Sequence, residues 1–533
     1  MGTRGYYVYR YRNIYFVYYA NSDSYPRSLG ITMLQSMRQP NAIAKERQRF
    51  REISDKLRDP SHPRVSQELR RERFDEGLDF IPVKNRLQND VWIEWIYEID
   101  LDRNIFHING IPFYSLECLP DDEDFIDYIS KDHHGNLACS RRCPPEHRYK
   151  KPAPPIVSDS DLATYESLEC TGHNVALSHL LAINDTLSPD EHIRVSLLET
   201  MIGQCMVRSK DVGKDDWPDV GQMTCDIEIA IDHNTLTDKE WMTACSMANL
   251  AFIPQIFDDI CEYIFHPKLR RMEFTWVRED TVVCIATHLD DERCLQASIS
   301  RLINAILEQK NSPGDYFGVA FSVYHCAIVK VVKGAHTTTF SHTAVLQFLP
   351  SFNAYSPSTP GITALAYLGY RVDPALFVSA AKVCAWWMPR YGHKHKQSRS
   401  LSQRADEVPP HIDCAALPFE IWGKIALHLD LYDVLVFGCV SKLFREVASM
   451  VLRYPHVCGY RLVAVPTRKP ESLRSGYRFL RSAAFSAERA DIPATVIIGL
   501  RDTSYNQMKI PFAEGYSPSV PVSVEEVTNV EDR

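Results

Sequence analysis

The chain has 533 residues, 45% hydrophobic and 24% charged, with a formal net charge of −9. That length provides for three or four domains with ordinary cores, and the composition excludes wholesale disorder and a generally cationic nucleic-acid coat. No apolar run reaches the ~18 residues a membrane helix needs; the nearest, Ala375 to Met388, is short and carries Lys382.

In chain order, the start Met1-Gly2-Thr3-Arg4-Gly5-Tyr6 lacks a signal-peptide core and the hydroxyl residue that myristoylation wants at its sixth position. Tyr6 to Tyr11 and Ile14 to Tyr19 then read as a β-hairpin about Arg12-Asn13. Asn21 to Gly30 is a turn-rich loop, and Asn41 to Arg73 places Ile43, Phe50, Ile53 and Leu57 at helical spacing among dense charges. Val91, Ile93, Trp95, Tyr97, Ile99 and Leu101 alternate along a strand. Asn109-Gly110 joins two short strands, Ile105 to Ile108 and Ile111 to Tyr114. Asp121 to Ile129 reads as a short helix whose acidic start, Asp121 to Asp124, suits the helix dipole. The chain turns basic and proline-bearing from His133 to Pro155, which sets a domain of residues 1–155. His133, His134, Cys139, Cys143 and His147 are zinc-ligand types. No second Cys-x-x-Cys knuckle accompanies them and Arg141-Arg142 intervene, so no metal is assigned. The other cysteines of the fifteen mostly sit in apolar stretches, as small buried hydrophobes of a reducing compartment do.

A second domain, 156–350, mixes helix and sheet in blocks. Met272 to Val277 and Thr281 to Thr287 form a hairpin. Asp291 opens a helix with the stripe Leu295, Ile299, Leu302 and Ile306, and strands follow at Val319 to Tyr324, Ala327 to Val332 and Thr337 to Phe348. Asp226 and Glu228, placed on a strand, point the same way, and with Asp232 and His233 nearby they form a candidate divalent-metal site. The plainer reading is the wet face of an edge strand. Residues 351–411 are a linker: Ser351 to Gly361 is rich in Pro, Ser and Gly, a helix runs from Asp373-Pro374 to Pro389, and Arg390 to Arg404 is a basic tether or an import signal.

Residues 417–448 read as three short helices. Pro418 suits a helix start. Ile421, Ile425 and Leu429 form one stripe with Trp422 beside it; Asp430 or Asp433 caps the second helix; Val440, Phe444 and Val447 form the stripe of the third. A unit this small is not stable alone, so one of its apolar surfaces must dock on the rest of the chain or on another protein. After it, 456–533 reads as a short tail, partly disordered, with apolar stretches at Arg461 to Val465 and Val496 to Leu500 and an acidic end.

The segment at 412–455 resembles the F-box, through Leu417, Pro418, Glu420, Ile421, Ile425, Leu429, Asp433, Val434, Val440, Ser441, Phe444 and Arg445. The family's usual late tryptophan is Phe444 here, and the motif follows some 410 residues where most F-boxes precede their substrate-binding domain. The resemblance implies docking on a Skp1-like adaptor of a cullin ubiquitin ligase and presentation of a protein substrate. Its implied partner contacts are Leu417, Pro418, Ile421, Ile425, Val440 and Phe444. Residues 1–150 also resemble the opening domain of a set of uncharacterised fungal proteins, through MGTRG, the Tyr-rich hairpin, the DSYP loop and the IEW and IDLDR strand. That second resemblance implies an architecture and no activity.

GxSxG, HExxH, Walker and kinase signatures are absent from the sequence. Thr3 would need a free amino group to act as a terminal nucleophile, and it stands behind Gly2. The expected protein is therefore an α+β multidomain, non-enzymatic adaptor: an antiparallel β-rich N-terminal domain, a central α+β domain and a C-terminal three-helix unit with a short tail. It needs no cofactor, membrane or nucleic acid, and works in the cytoplasm or the nucleus. The alternatives are a structural protein that buries the helical unit against itself, and a metal-dependent or N-terminal-nucleophile hydrolase.

Overall fold

The computed structural model describes residues 3–12, 14–58, 78–82, 93–131, 137–184, 186–206, 220–258, 271–349, 359–387, 401, 403–407, 409, 417–466, 482–499, 507–512 and 517–526. They divide into two compact units, the first from 1–154, 207–240 and 350–356, the second from 155–206, 241–349 and 357–533.

The first unit is built on one sheet. Gly5–Tyr11 (β1) and Ile14–Ala20 (β2) form the expected hairpin, with Val8 opposite Val17. β2 also pairs with Leu78–Pro82 (β3), while β1 pairs with Trp95–Asp100 (β4), which continues through Ile105–Ile108 (β5) and Ile111–Ser115 (β6). The β1–β4 pairing is parallel, so the sheet is mixed where an antiparallel one was expected. Parallel neighbours need a long crossover, and Ile31–Arg38 (α1) and Ala42–Arg58 (α2) lie in it. Asn109 and Gly110 both adopt positive φ, 52° and 74°, the demand of a two-residue hairpin turn that only residues of their kind meet cheaply.

The alternation expected along β4 is absent from its burial: Ile96, Tyr97, Glu98, Ile99 and Asp100 are all buried. Both faces of the sheet are covered. On one face Phe50 of α2 packs on Tyr9 and Phe16, ring centroids 4.8 and 4.4 Å away. The other carries Val8, Val17 and Ile96 and then a charged cluster, where Arg10 and Arg103 stand 3.6 and 3.8 Å from the Asp100 carboxylate. A buried carboxylate persists only with such partners. The acidic helix is Asp122–Asp127 (α3), capped by Asp121, which accepts from the Asp124 amide at 3.0 Å. Ile129–Lys131 (β7) and Leu137–Cys139 (β8) add a small hairpin.

Beyond it the chain forms Asp159–Ser167 (α4), Leu177–Leu181 (α5) and Pro189–Cys205 (α6) of the second unit, then Val220–Glu228 (α7) of the first, then Asp238–Asn249 (α8).

The second unit holds two sheets. Their strands begin with Glu169–Gly172 (β9) and Ile256–Phe257 (β10). Phe274–Arg278 (β11), Thr281–Ile285 (β12), Gly314–Phe321 (β13), His325–Lys333 (β14) and Thr338–His342 (β15) join β9 in the order β11-β12-β13-β14-β15-β9, with Leu346–Gln347 (β16) paired to β14. Glu292–Gln309 (α9) lies on this sheet with Leu295, Ile299, Leu302 and Ile306 buried, as its spacing predicts, and Asp291 caps it by accepting from the Cys294 amide.

Pro360–Tyr370 (α10) is apolar and largely buried, and its C-terminal carbonyls attract three arginines. Arg278 donates to Leu368 O and Val372 O, both at 2.8 Å; Arg194 donates to Gly369 O at 3.2 Å; Arg453 donates to Tyr370 O at 2.7 Å. Cations satisfy the last carbonyls of a helix and complement its dipole, so this end ties α6, the β11–β12 hairpin and the end of the three-helix unit together. Asp373 accepts from the Ala375 amide, and Leu376–Trp387 (α11) follows.

The segment after residue 455 is not a short tail. His456–Val457 (β17), Tyr460–Ala464 (β18), Ala483–Arg489 (β19), Ile492–Ile498 (β20), Gln507–Lys509 (β21) and Ser519–Glu526 (β22) form a sheet with β10, in the order β10-β17-β18-β19-β20-β22-β21. α6 lies against β18 and β19. The β19–β20 turn is Ala490-Asp491, both at positive φ (46° and 66°), so the sequence carries none of the Asn-Gly chemistry that marks such a turn. Among the described residues no helix is long and apolar enough to cross a membrane. The linker at 351–358 and most of the basic stretch 390–404 lie outside the described residues.

Candidate functional site

The three expected helices are Phe419–Leu427 (α12), Leu431–Gly438 (α13) and Lys442–Leu452 (α14). Their starts follow from local chemistry. Pro418 occupies the N-cap of α12 with extended backbone; Asp430 caps α13, accepting from the Asp433 amide at 2.9 Å; Ser441 caps α14, accepting from the Phe444 amide at 3.2 Å.

The unit has an inner and an outer side. Inside, α14 buries Phe444, Val447, Ala448, Val451 and Leu452 at the spacing of one helix face. Val447, Ala448, Val451 and Leu452, with Ala426, Leu431, Val434 and Leu435, share a core with Phe377, Ala380, Ala381 and Cys384 of α11. The closeness of that packing is set at Gly438, where a β-carbon would lie 2.1 Å from Phe377 Cε2 and 2.9 Å from Ala448 Cβ. Arg445 lays its guanidinium 4.8 Å from the Phe377 ring centroid and donates to Gly438 O at 3.3 Å. His428 meets Asp491 of the β19–β20 turn at 2.5 Å, and Arg461 of β18 donates to Leu427 O at 3.4 Å.

α12 is apolar on two sides, and the structure divides the stripe expected of it. Trp422, Ala426 and Leu429 face the shared core, whereas Ile421 and Ile425 stay 39% and 38% exposed. Leu417, one turn earlier, is 39% exposed, Val440 is 44% exposed, and Pro418 is exposed. Phe444 is the exception among the six residues singled out by sequence. It is 8% exposed, its ring stacked 4.2 Å from Phe437 and edge-on to Trp422 at 4.7 Å. It packs within the unit and leaves little surface for a partner. Val436 and Met450 are also exposed; their signal in the sequence was an apolar residue off the buried period of its own helix.

The other sequence candidates do not assemble. Asp226 and Glu228 lie on α7, not on a strand, and two residues apart on a helix is about 200° of rotation, so they diverge. Asp226 turns towards Arg103 at 4.0 Å, Glu228 accepts from the Tyr149 hydroxyl at 3.2 Å, and Asp232 caps a short 3-10 turn through the Asn234 amide. Thr3 is 2% exposed, its carbonyl taking the Ser24 amide. Cys139 and Cys143 are both buried, but His147 turns its Nδ1 to Cys118 O at 2.9 Å; His133 and His134 lie outside the described residues.

Comparison with known proteins adds one match: the F-box domain, over residues 415–456. No curated protein and no solved structure matches the chain.

Proposed function

We propose that this chain is an F-box adaptor whose outer face, formed by Leu417, Pro418, Ile421, Ile425 and Val440, docks on a Skp1-like subunit of a cullin ubiquitin ligase while the rest of the chain presents a protein substrate. The observation that carries the reading is the division of the helical unit into an anchored side and an open apolar side at the segment that matches the F-box. Apolar side chains left at the surface in such a group favour a partner that covers them. Phe444 and Val447 keep the helices in register behind that face.

The anchoring serves the same end. An adaptor that hands one protein to another must hold its two contact surfaces at a fixed separation. The core shared with α11, the Arg453 contact to α10 and the His428–Asp491 pair supply that stiffness on the side of the central and C-terminal sheets. The C-terminal sheet gives the chain a folded body after the F-box as well as before it, so both are candidate substrate surfaces. The reading requires no cofactor and no nucleic acid, and places the protein in the cytoplasm or nucleus.

The test is Leu417→Ala with Pro418→Ala in the full chain. Co-purification with the Skp1-type adaptor is lost while the circular dichroism spectrum and melting temperature hold. Retained binding refutes the docking face, and full retention after deletion of 412–455 refutes the adaptor reading itself.

A further inference from the structure

A second group of residues, far from the F-box in sequence, has the chemistry of a metal centre. Cys170 lies on β9, His173 in the bend that follows it, and His342 at the end of β15, which pairs parallel with β9. Cys170 Sγ is 3.5 Å from His173 Nδ1, and His173 Nδ1 is 3.4 Å from His342 Nε2. A tetrahedral zinc ion with bonds of about 2.05 Å to nitrogen and about 2.3 Å to sulfur holds its ligand atoms about 3.5 Å apart (sulfur to nitrogen) and about 3.3 Å apart (nitrogen to nitrogen). All three ligand atoms lie within 4.8 Å of one another. The two spacings that involve His173 match those a bound ion imposes.

The protonation pattern fits too. His342 Nδ1 lies 2.9 Å from Thr343 O. A carbonyl only accepts, so the ring proton sits on Nδ1 and the lone pair of Nε2 is turned to the cluster. That is the arrangement in which a ligating histidine is held by a second hydrogen bond on its far nitrogen. The Tyr165 hydroxyl lies 2.7 Å from His173 Nδ1 and 3.0 Å from His342 Nε2, within hydrogen-bond reach of both nitrogens. The site is set deep on one side and open on the other: His342 is buried, Cys170 half-buried and His173 exposed, which leaves an entry path.

We propose that Cys170, His173 and His342 bind a divalent transition-metal ion, zinc by ligand type, with Tyr165 or a water it holds completing the shell. Thiolate and imidazole together select zinc over the hard cations. The ion would fasten the edge strand β9, and α4 before it, to β15. Binding releases the Cys170 proton to solvent and involves no change of oxidation state.

The experiment is a cobalt(II) titration of the full-length chain after removal of metal with EDTA, followed by absorbance, with zinc competition. A single equivalent should give the intense visible bands of a tetrahedral, thiolate-ligated cobalt ion, and zinc should abolish them. Cys170→Ser should remove the sulfur-to-metal charge-transfer band. His173→Ala, at an exposed position, should weaken binding at least tenfold. Cys139→Ser with Cys143→Ser should change neither. The absence of saturable cobalt binding overturns the proposal, as does a spectrum that survives Cys170→Ser. The readout is independent of adaptor docking, so either proposal can fail without the other.

Discussion

Replacing Ile421 and Ile425 together by alanine separates partner binding from folding. The two side chains are 39% and 38% exposed. Complete burial of an isoleucine is worth about 1.5–3 kcal/mol, so covering the exposed two-fifths contributes about 0.6–1.2 kcal/mol for each. Alanine keeps the β-carbon and forfeits most of that area, so the pair should lose about 1–2 kcal/mol, or about 5- to 30-fold in Kd. Neither residue belongs to the core shared with α11, so the chain should stay folded, at a stability cost from the already covered part of each side chain that is measured separately from binding. Isothermal titration of the full chain with purified Skp1-type adaptor measures the first quantity, and thermal denaturation the second. Lys424→Ala, an exposed change on the same helix, serves as the near-neutral control. An affinity within twofold of the parent, with the fold intact, would show that the outer stripe of α12 is not the docking surface.

Three further outcomes test the packing. Gly438→Ala places a methyl 2.1 Å from Phe377 Cε2, on a ring at the centre of the shared core; overpacking of this kind costs about 1–3 kcal/mol, read as a lowered melting temperature. Ser441→Ala removes the cap of α14, which accepts the Phe444 amide; it should cost about 1 kcal/mol in urea denaturation, and an unchanged midpoint would discount the cap. His456 is buried in β17 with Nδ1 donating to Tyr454 O at 2.8 Å, and burial pushes its pKa down to about 4. An unfolded imidazole titrates near about 6.5, so between these values the unfolded chain takes up a proton that the folded chain refuses. The stability is complete above that range and falls with acidification by about 1.4 kcal/mol per pH unit within it. His456→Gln should flatten the slope of unfolding free energy between about pH 6.5 and about pH 5, and an unaltered slope would assign the acid sensitivity elsewhere.

Much of the local structure was legible because it depends on neighbours in the chain. Asn109-Gly110 announced its hairpin, Asp291 its helix, and the stripe from Leu295 to Ile306 its buried face. The helical unit at 417–448 was legible for the same reason, two of its starts being written in Pro418 and Asp430. The assignment of its faces was not. α12 is apolar on two sides, and periodicity alone cannot say which side meets α11 and which meets solvent; the inward stripe proved to be Trp422, Ala426 and Leu429.

Where partners lie far apart in the chain, the sequence was silent. The C-terminal sheet turns at Ala490-Asp491, which lack the Asn-Gly signature, and its first strand pairs with Ile256–Phe257, some two hundred residues earlier. The parallel β1–β4 pairing was hidden for the same reason, whereas Asp226 and Glu228 were misread locally, as alternating acids of a strand where Val220–Glu228 is a helix. Cys170, His173 and His342 carry no joint motif, because 169 residues separate the two histidines and only the β9–β15 pairing brings them together. Composition, caps and short-range periodicity act within a turn or two of backbone, so the sequence by itself determined many of the elements and the F-box-like unit. Strand partnership, the open or covered state of an apolar face and the meeting of distant ligands are long-range contacts, in which the cost of closing the chain is set against burial elsewhere. Only the tertiary structure decided those.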